Sequence, residues 1–304
     1  MRSIHVLLRH SIDYAGLFPP AGLDMAAAVA DYEDYRASSS SWALGRFVVS
    51  AERIAQFEDA AQKYLSITGP AWPIAALLGP DLDSDLGAID EFNRRHASPA
   101  GVAALIDTVE LKASSLRAAE DMMGRIPQHL QAYIEIPIDG DPRDLVAAIG
   151  RSGRRAKVRT GGVTREAFPS ASDIIRFMVT CIRSRVAFKA TAGLHHPLRA
   201  EYRLSYEPDS PHGLMFGFLN LFLAAAFLRA GVEPERAQQV LEERSIEALR
   251  IEDDAILWRG LRLDPDDLVG ARNEAIISFG SCSFTEPLHD LETLHLLEAS
   301  VKQA

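Results

Sequence analysis

Short apolar runs alternate with stretches of helical period along most of this chain, and that alternation restricts the fold more than any other feature. Runs at Ile12–Phe18, Phe47–Val49, Ile74–Leu78, Val102–Leu111, Ala132–Ile136, Ala156–Thr160, Val186–Thr191 and Ile276–Phe279 read as strands. Helical segments fall between them at Leu23–Arg36, Glu52–Leu65, Leu82–Arg95, Ser114–Met123, Pro142–Ile149 and Ser170–Ile182. In the last of these, Ile174, Ile175, Phe177, Met178, Cys181 and Ile182 form one apolar stripe. Strands separated by helices of about 10–15 residues indicate βαβ units and a parallel sheet. The count predicts an α/β fold, a (β/α)8 TIM-type barrel, as a single domain over 1–304. An open doubly wound sheet is the alternative, because periodicity does not show closure.

The repeat breaks between the seventh and eighth strands. An apolar helix is expected over Pro211–Gly231, an amphipathic one over Pro234–Arg244, and a hairpin over Leu249–Leu263 turning at Asp253-Asp254. Residues 211–263 therefore read as an elaboration of the barrel, and a last helix is expected over Asp290–Val301. The helix carrying Phe216, Phe218, Phe222 and Phe227 is apolar almost all round, which implies burial under the flap or in a subunit interface. A homodimer is the expectation.

Composition narrows the function classes. Hydrophobic residues make up 47% of the chain, enough for a substantial core, and the net charge of −10 argues against a nucleic-acid binder. The expected partner is a small-molecule substrate. Two cysteines, Cys181 and Cys282, are too few for a disulfide framework and fit a reducing cytoplasm. The start, MRSIHVLLRH, lacks the apolar core of a secretion signal. The most apolar run, Leu214–Leu228, contains Asn220 and falls short of the roughly 20 residues a membrane span needs.

Active sites of such barrels sit at the C-terminal ends of the strands. The polar residues expected there are Glu110 with Lys112, Glu135, Lys157 with Arg159, Lys189 with Thr191, and Ser281 with Ser283. Alternation puts Lys157 and Arg159 on one face of their strand, and likewise Glu110 and Lys112. Lysine is almost never fully buried unless paired, so two strands that end in lysine stand out. A lysine crowded by a second cation shifts toward its neutral, nucleophilic form, which condenses with a carbonyl to a Schiff base. The same residues, Glu110, Lys112, Glu135 and Lys157, are compatible with a static ion-pair layer.

The segments AKVRTGG and VAFKATAGL, one helix apart, resemble the paired signatures of deoxyribose-phosphate-aldolase-type class I aldolases. That resemblance implies a barrel lyase in which Lys157, on the sixth strand, forms the Schiff base and Lys189, on the seventh, perturbs it. Glu110 or Glu135 would then serve as the proton-moving acid. The turn Gly280–Ser283 (GSCS) is similar in kind to the Gly-x-Ser turn with which that family holds phosphate. Arg159 stands where the family has a small hydroxyl residue, Thr191-Ala192 interrupts the second motif, and the region after the seventh strand is longer.

Anion binding is expected from Arg159, Thr160, Gly161 and Gly162, with Thr191, Gly193, Gly280, Ser281 and Ser283 completing the rim. Glycine-turn amides and an arginine fork both suit phosphate or carboxylate. Glycine also serves a tight turn on conformational grounds alone. His195 and His196 suit substrate hydrogen bonding or acid–base work. No cofactor is expected. The alternative is a divalent metal on His195, His196, Glu135 and His289, with Cys282, Glu286 and His289 following the last strand and able to converge with His195, in a metal-dependent lyase, hydrolase or isomerase. A non-catalytic barrel that binds a small anion or a partner is the third reading. Asp13 and Tyr14 lie at the end of the first strand, where Tyr14 is expected to pack rather than react.

Overall fold

The computed structural model describes residues 2–297, in which eight strands form a closed parallel barrel. They are Ile12–Tyr14 (β1), Leu44–Ser50 (β2), Trp72–Leu77 (β3), Ala104–Lys112 (β4), Gln131–Glu135 (β5), Arg155–Arg159 (β6), Phe188–Thr191 (β7) and Ile276–Ser281 (β8). Each pairs with its neighbours in chain order, and β1 pairs with β8 through Ile12↔Phe279 and with β2 through Ile12↔Leu44. That closure makes the fold a (β/α)8 barrel and removes the open-sheet alternative.

The helices between strands are Met25–Ala37 (α2), Ile54–Ala61 (α3), Leu82–His96 (α4), Leu116–Arg125 (α5), Arg143–Arg151 (α6) and Ala171–Arg183 (α7), with Arg2–Leu8 (α1) ahead of the barrel. Several begin on a side chain that accepts an otherwise unpaired amide: Asp24 from Ala27, Ser115 from Ala118 and Ser170 from Asp173. Their apolar faces meet the outer face of the barrel. Phe47 packs on Phe57 of α3 with ring centroids 5.0 Å apart, and Phe188 on Phe177 of α7 at 5.3 Å. Because strand side chains alternate, Arg46, Val48, Lys189 and Thr191 then point into the barrel. Tyr14 faces outward, against Tyr32 and Tyr35 of α2.

After β7 the chain departs from the simple repeat. The apolar segment expected as one helix from Pro211 is divided: His212–Met215 pairs antiparallel with Ala200–Arg203, and the helix runs over Phe218–Arg229 (α8). Close packing imposes this. A Cβ on Gly213 would lie 2.7 Å from Leu204, and one on Gly217 would lie 2.1 Å from the Pro197 carbonyl oxygen. The apolar run therefore enters a hairpin before it can coil. Pro234–Leu241 (α9) follows, then three antiparallel strands, Leu249–Ile251, Ile256–Trp258 and Leu261–Leu263, which extend the expected hairpin by one strand.

A helix absent from the expectation, Pro265–Glu274 (α10), leads into β8. Its start is a capping box of Asp264 and Asp267 with proline in the first turn. Every residue of α8 from Phe218 to Leu228 is buried, and α7, α9 and α10 of the same chain pack against it. Its apolarity thus has an explanation inside the chain, and the ground for expecting a dimer falls away. The last described helix is Thr285–Thr293 (α11); the expected helix began later, at Asp290, and its far end at 298–301 lies outside the described residues. No helix among the described residues is long and apolar enough to cross a membrane.

Candidate functional site

Six charged side chains form a continuous ladder in the upper half of the barrel. At one end Asp13, on β1, receives Lys189 Nζ at 2.5 Å, the Ser278 hydroxyl at 2.7 Å and the Arg46 amide at 2.9 Å. Lys189 also reaches Glu110 Oε1 at 2.6 Å, while the other oxygen of Glu110 takes Lys157 Nζ at 2.8 Å. Lys157 lies 3.1 Å from Glu135, and Glu135 accepts from Arg159 Nε at 3.1 Å. β4 and β7 are not neighbours in the sheet, so the Lys189–Glu110 contact crosses the barrel interior. Lys157 and Lys189 are themselves register partners on adjacent strands.

Local sequence explains these positions. The stretch Arg155-Ala-Lys-Val-Arg159 alternates, so Ala156 and Val158 fill the apolar shell while Lys157 points inward. Room for the Asp13 carboxylate comes from Gly45, where a Cβ would sit 2.4 Å from Asp13 Oδ1. Tyr133, two residues before Glu135, turns its ring toward Lys189 Nζ, 5.5 Å from the centroid, and accepts from Arg155 at 2.9 Å.

Burial and charge oppose each other along the ladder. Burial alone would raise the Glu110 carboxyl, but the Lys157 and Lys189 ammonium groups hold it down at about 2. For Lys189 burial acts downward, yet the Asp13 and Glu110 carboxylates raise it above the ordinary lysine range. Glu135, also opposed by burial, is lowered by Lys157 and Arg159. The sequence leads one to expect a lysine laid bare beside a second cation. The structure corrects that expectation: Glu110 stands between the two lysines, and Asp13 and Glu110 favour the charged form of Lys189.

Above the ladder opens a cavity of about 360 Å³ whose wall includes Glu110, Lys157, Lys189, Thr191, Gly193 and His195. Lys157 is the more open lysine, its side chain 8% exposed against 1% for Lys189. Arg159 is half exposed at the rim and lines the same cavity. Lys112 differs from the expectation: it ends β4 pointing to solvent and, among the described residues, makes no ion pair with the ladder. Lys112 is the last residue of β4, paired with Glu135 in register, and its side chain stands outside the buried ladder.

The rim glycines fill a packing role. A Cβ on Gly161 would lie 2.5 Å from the Phe168 ring, and one on Gly193, which has φ +69°, would lie 2.8 Å from it. Gly162 meets Ala167, and Gly280 meets Thr191, in the same way. Buried Thr160 donates its hydroxyl to the Ala192 carbonyl at 2.7 Å and ties the β6 and β7 loops together. Ser281 is buried and its carbonyl holds the Ala15 amide, while the Ser283 hydroxyl accepts from the Glu286 amide at the start of α11.

The two histidines take different partners. His196 meets Asp290 at 2.6 Å and stacks on Tyr202. His195 sits in the cavity wall with Nδ1 3.3 Å from Glu286 and 3.8 Å from Cys282 Sγ. Tyr206 closes this second cluster, its hydroxyl 3.0 Å from Glu286 and 3.6 Å from the thiol. The residues of the metal alternative are not gathered: Glu135 is taken by Lys157 and Arg159, and His289 is exposed. Among the described residues no three His, Cys, Asp or Glu side chains are arranged to hold a metal ion.

Sequence reasoning missed the placing of Asp13 and Ser278 inside the barrel; the expected approach of Cys282 and Glu286 to His195 is found, while His289, expected with them, is exposed. The only signal for Asp13 was a charge within an apolar run. Comparison with protein-family models, curated proteins and solved structures returned no match.

Proposed function

We propose that the chain is a lyase of the class I aldolase type, acting on a small carbonyl compound with an anionic group through a Schiff base on Lys157. One observation carries the reading: a single buried carboxylate, Glu110, holds a fully buried lysine, itself paired with Asp13, on one oxygen and the more open lysine on the other. This division gives Lys189 the electrostatic role and leaves Lys157 as the amine that a substrate reaches. Glu110 and Glu135 both touch Lys157 and are the groups able to take its proton. The freed nitrogen pair attacks the carbonyl carbon, the C–N bond forms, and the former carbonyl oxygen collects protons and departs as water. An iminium on Lys157 remains. Arg159 is bound to Glu135 through Nε alone, so its remaining N–H groups are available to a phosphate or carboxylate.

Borohydride trapping tests the reading. The protein is incubated with acetaldehyde, pyruvate or dihydroxyacetone phosphate, reduced, digested and mapped by mass spectrometry. A reduced adduct on Lys157 with at least one of these is expected, and it disappears in Lys157→Met. If Lys157 stays unmodified with every carbonyl, the ladder is a static ion-pair layer and the proposal fails.

A further inference from the structure

His195 lies in the wall between two spaces. It lines the cavity that contains Lys157, and also a second cavity of about 400 Å³ bounded by Tyr202, Arg203, Tyr206 and Glu286 under the Ala200–Arg203 and His212–Met215 hairpin. Its Nδ1 faces Glu286 and Cys282, and Nε2 makes no hydrogen bond among the described residues. The ring is thus oriented from behind through one nitrogen, has its other nitrogen without a protein partner among the described residues, and lines both cavities, the arrangement of a positioned acid–base group. Arg203, in the second cavity, has no ion-pair partner among the described residues.

We infer that His195 is the general acid–base residue for a two-fragment reaction, in which a donor carbonyl is held on Lys157 and an acceptor aldehyde enters from the second cavity. The inference rests on the Schiff-base reading above and names the other half of its substrate: an aldehyde whose hydroxyl or anionic group meets Arg203. In the condensation direction Glu135, which touches Lys157, takes a proton from the carbon next to the iminium; the enamine so formed attacks the acceptor carbonyl carbon, the C–C bond forms and the iminium returns. The carbonyl π pair moves to oxygen, which takes the proton from His195 Nε2. In cleavage the neutral ring takes that proton back from the hydroxyl as the C–C bond breaks.

The groups facing the ring suit this cycle. Burial lowers His195, but Cys282 and Glu286 beside it raise it to about 9, with Tyr206 behind Glu286 and the His196 ring 6.4 Å away. Glu286 itself is lowered by the same contact after burial is overcome. The imidazolium is therefore the resting form at neutral pH, ready to donate.

Donor chemistry and acceptor chemistry are separable, and the test uses that. Acetaldehyde is given alone to follow deuterium exchange at its methyl carbon in D2O, and with glyceraldehyde 3-phosphate to follow condensation. In His195→Gln, condensation is expected to fall at least about 100-fold, and at least about tenfold more than Lys157 trapping or donor exchange. In Glu286→Gln, which keeps the imidazole, the alkaline limb of the condensation profile is expected to move down toward the ordinary histidine range. Condensation unchanged in His195→Gln overturns the inference and leaves the Schiff-base reading standing. Parallel loss of trapping, exchange and condensation overturns it too, since the ring would then only hold the fold. No Lys157 adduct in the wild type overturns both.

Discussion

The two faces of this barrel wall are built on opposite rules. Outside, between strands and helices, Phe47, Ile74, Val109, Ile134, Val158, Phe188 and Phe279 are completely buried among apolar neighbours. Inside, the same strands carry Asp13, Glu110, Tyr133, Lys157, Lys189 and Ser278, nearly as buried but joined by hydrogen bonds and ion pairs. Barrel interiors are usually filled with branched aliphatic side chains. A buried ion pair is a poor source of stability, because desolvation offsets the attraction, yet removing one partner is expensive. The outer face thus accounts for the stability of the fold, and the inner face holds charge beside the cavity.

The largest effect that separates the two faces is on reactivity. Lys157→Met is expected to lower carbonyl trapping by at least about 10³-fold, as for other lost nucleophiles. Its unfolding free energy should fall less than that of Lys189→Met, since Glu110 keeps Lys189 and Glu135 keeps Arg159. Lys189→Met leaves Asp13 with a hydroxyl and an amide but no cation, and should cost about 3–5 kcal/mol in urea titrations. If both lysine variants lose the same stability, the division of roles along the ladder is wrong.

A pH series sharpens the contrast. The Glu110 carboxyl falls from its ordinary 4.5 to about 2 on folding, so its contribution is fully present above about 4.5 and lost as pH falls through about 2. Stability measured between about pH 6 and 2.5 should hold down to about pH 4.5 and decline below it, and Glu110→Gln should show a flatter decline. On the outer face no such dependence is expected: Ile134→Val should cost about 0.5–1.5 kcal/mol at every pH. The smallest change is assigned to Lys112→Ala, within about 0.5 kcal/mol of wild type and with trapping intact. Loss of trapping in that variant would restore the exposed lysine to the site.

Much of this was legible before any coordinates. The period-2 alternation of AKVRT and VAFKAT, set within a regular βα repeat, is enough to put Lys157 and Lys189 side by side and Arg159 above them. Glu110 and Glu135 follow from the same alternation. What was hidden has physical reasons. β1 is only three residues long, too short to show a period, so Asp13 reads as an edge residue when it is an interior one. Tyr206 joins His195, Cys282 and Glu286 from the hairpin after β7, and a contact across 80 positions leaves no local pattern. The hairpin strand His212–Met215 was masked by the apolar run it shares with α8. The α10 start was readable in Asp264-Pro-Asp-Asp267, since proline and paired aspartates mark a helix entrance.

The ladder also has a property of number. It contains three cations, Lys189, Lys157 and Arg159, and three anions, Asp13, Glu110 and Glu135, so the set is even and closes on zero. A proton passed from Lys157 to Glu110 or Glu135 stays within the set, so the total remains zero while one cation and one anion vanish together. A cationic iminium on the same nitrogen, with the carboxylate ionised again, would restore all six charges. The resting ladder and that covalent state therefore carry the same charges at the same places, and no other member has to move.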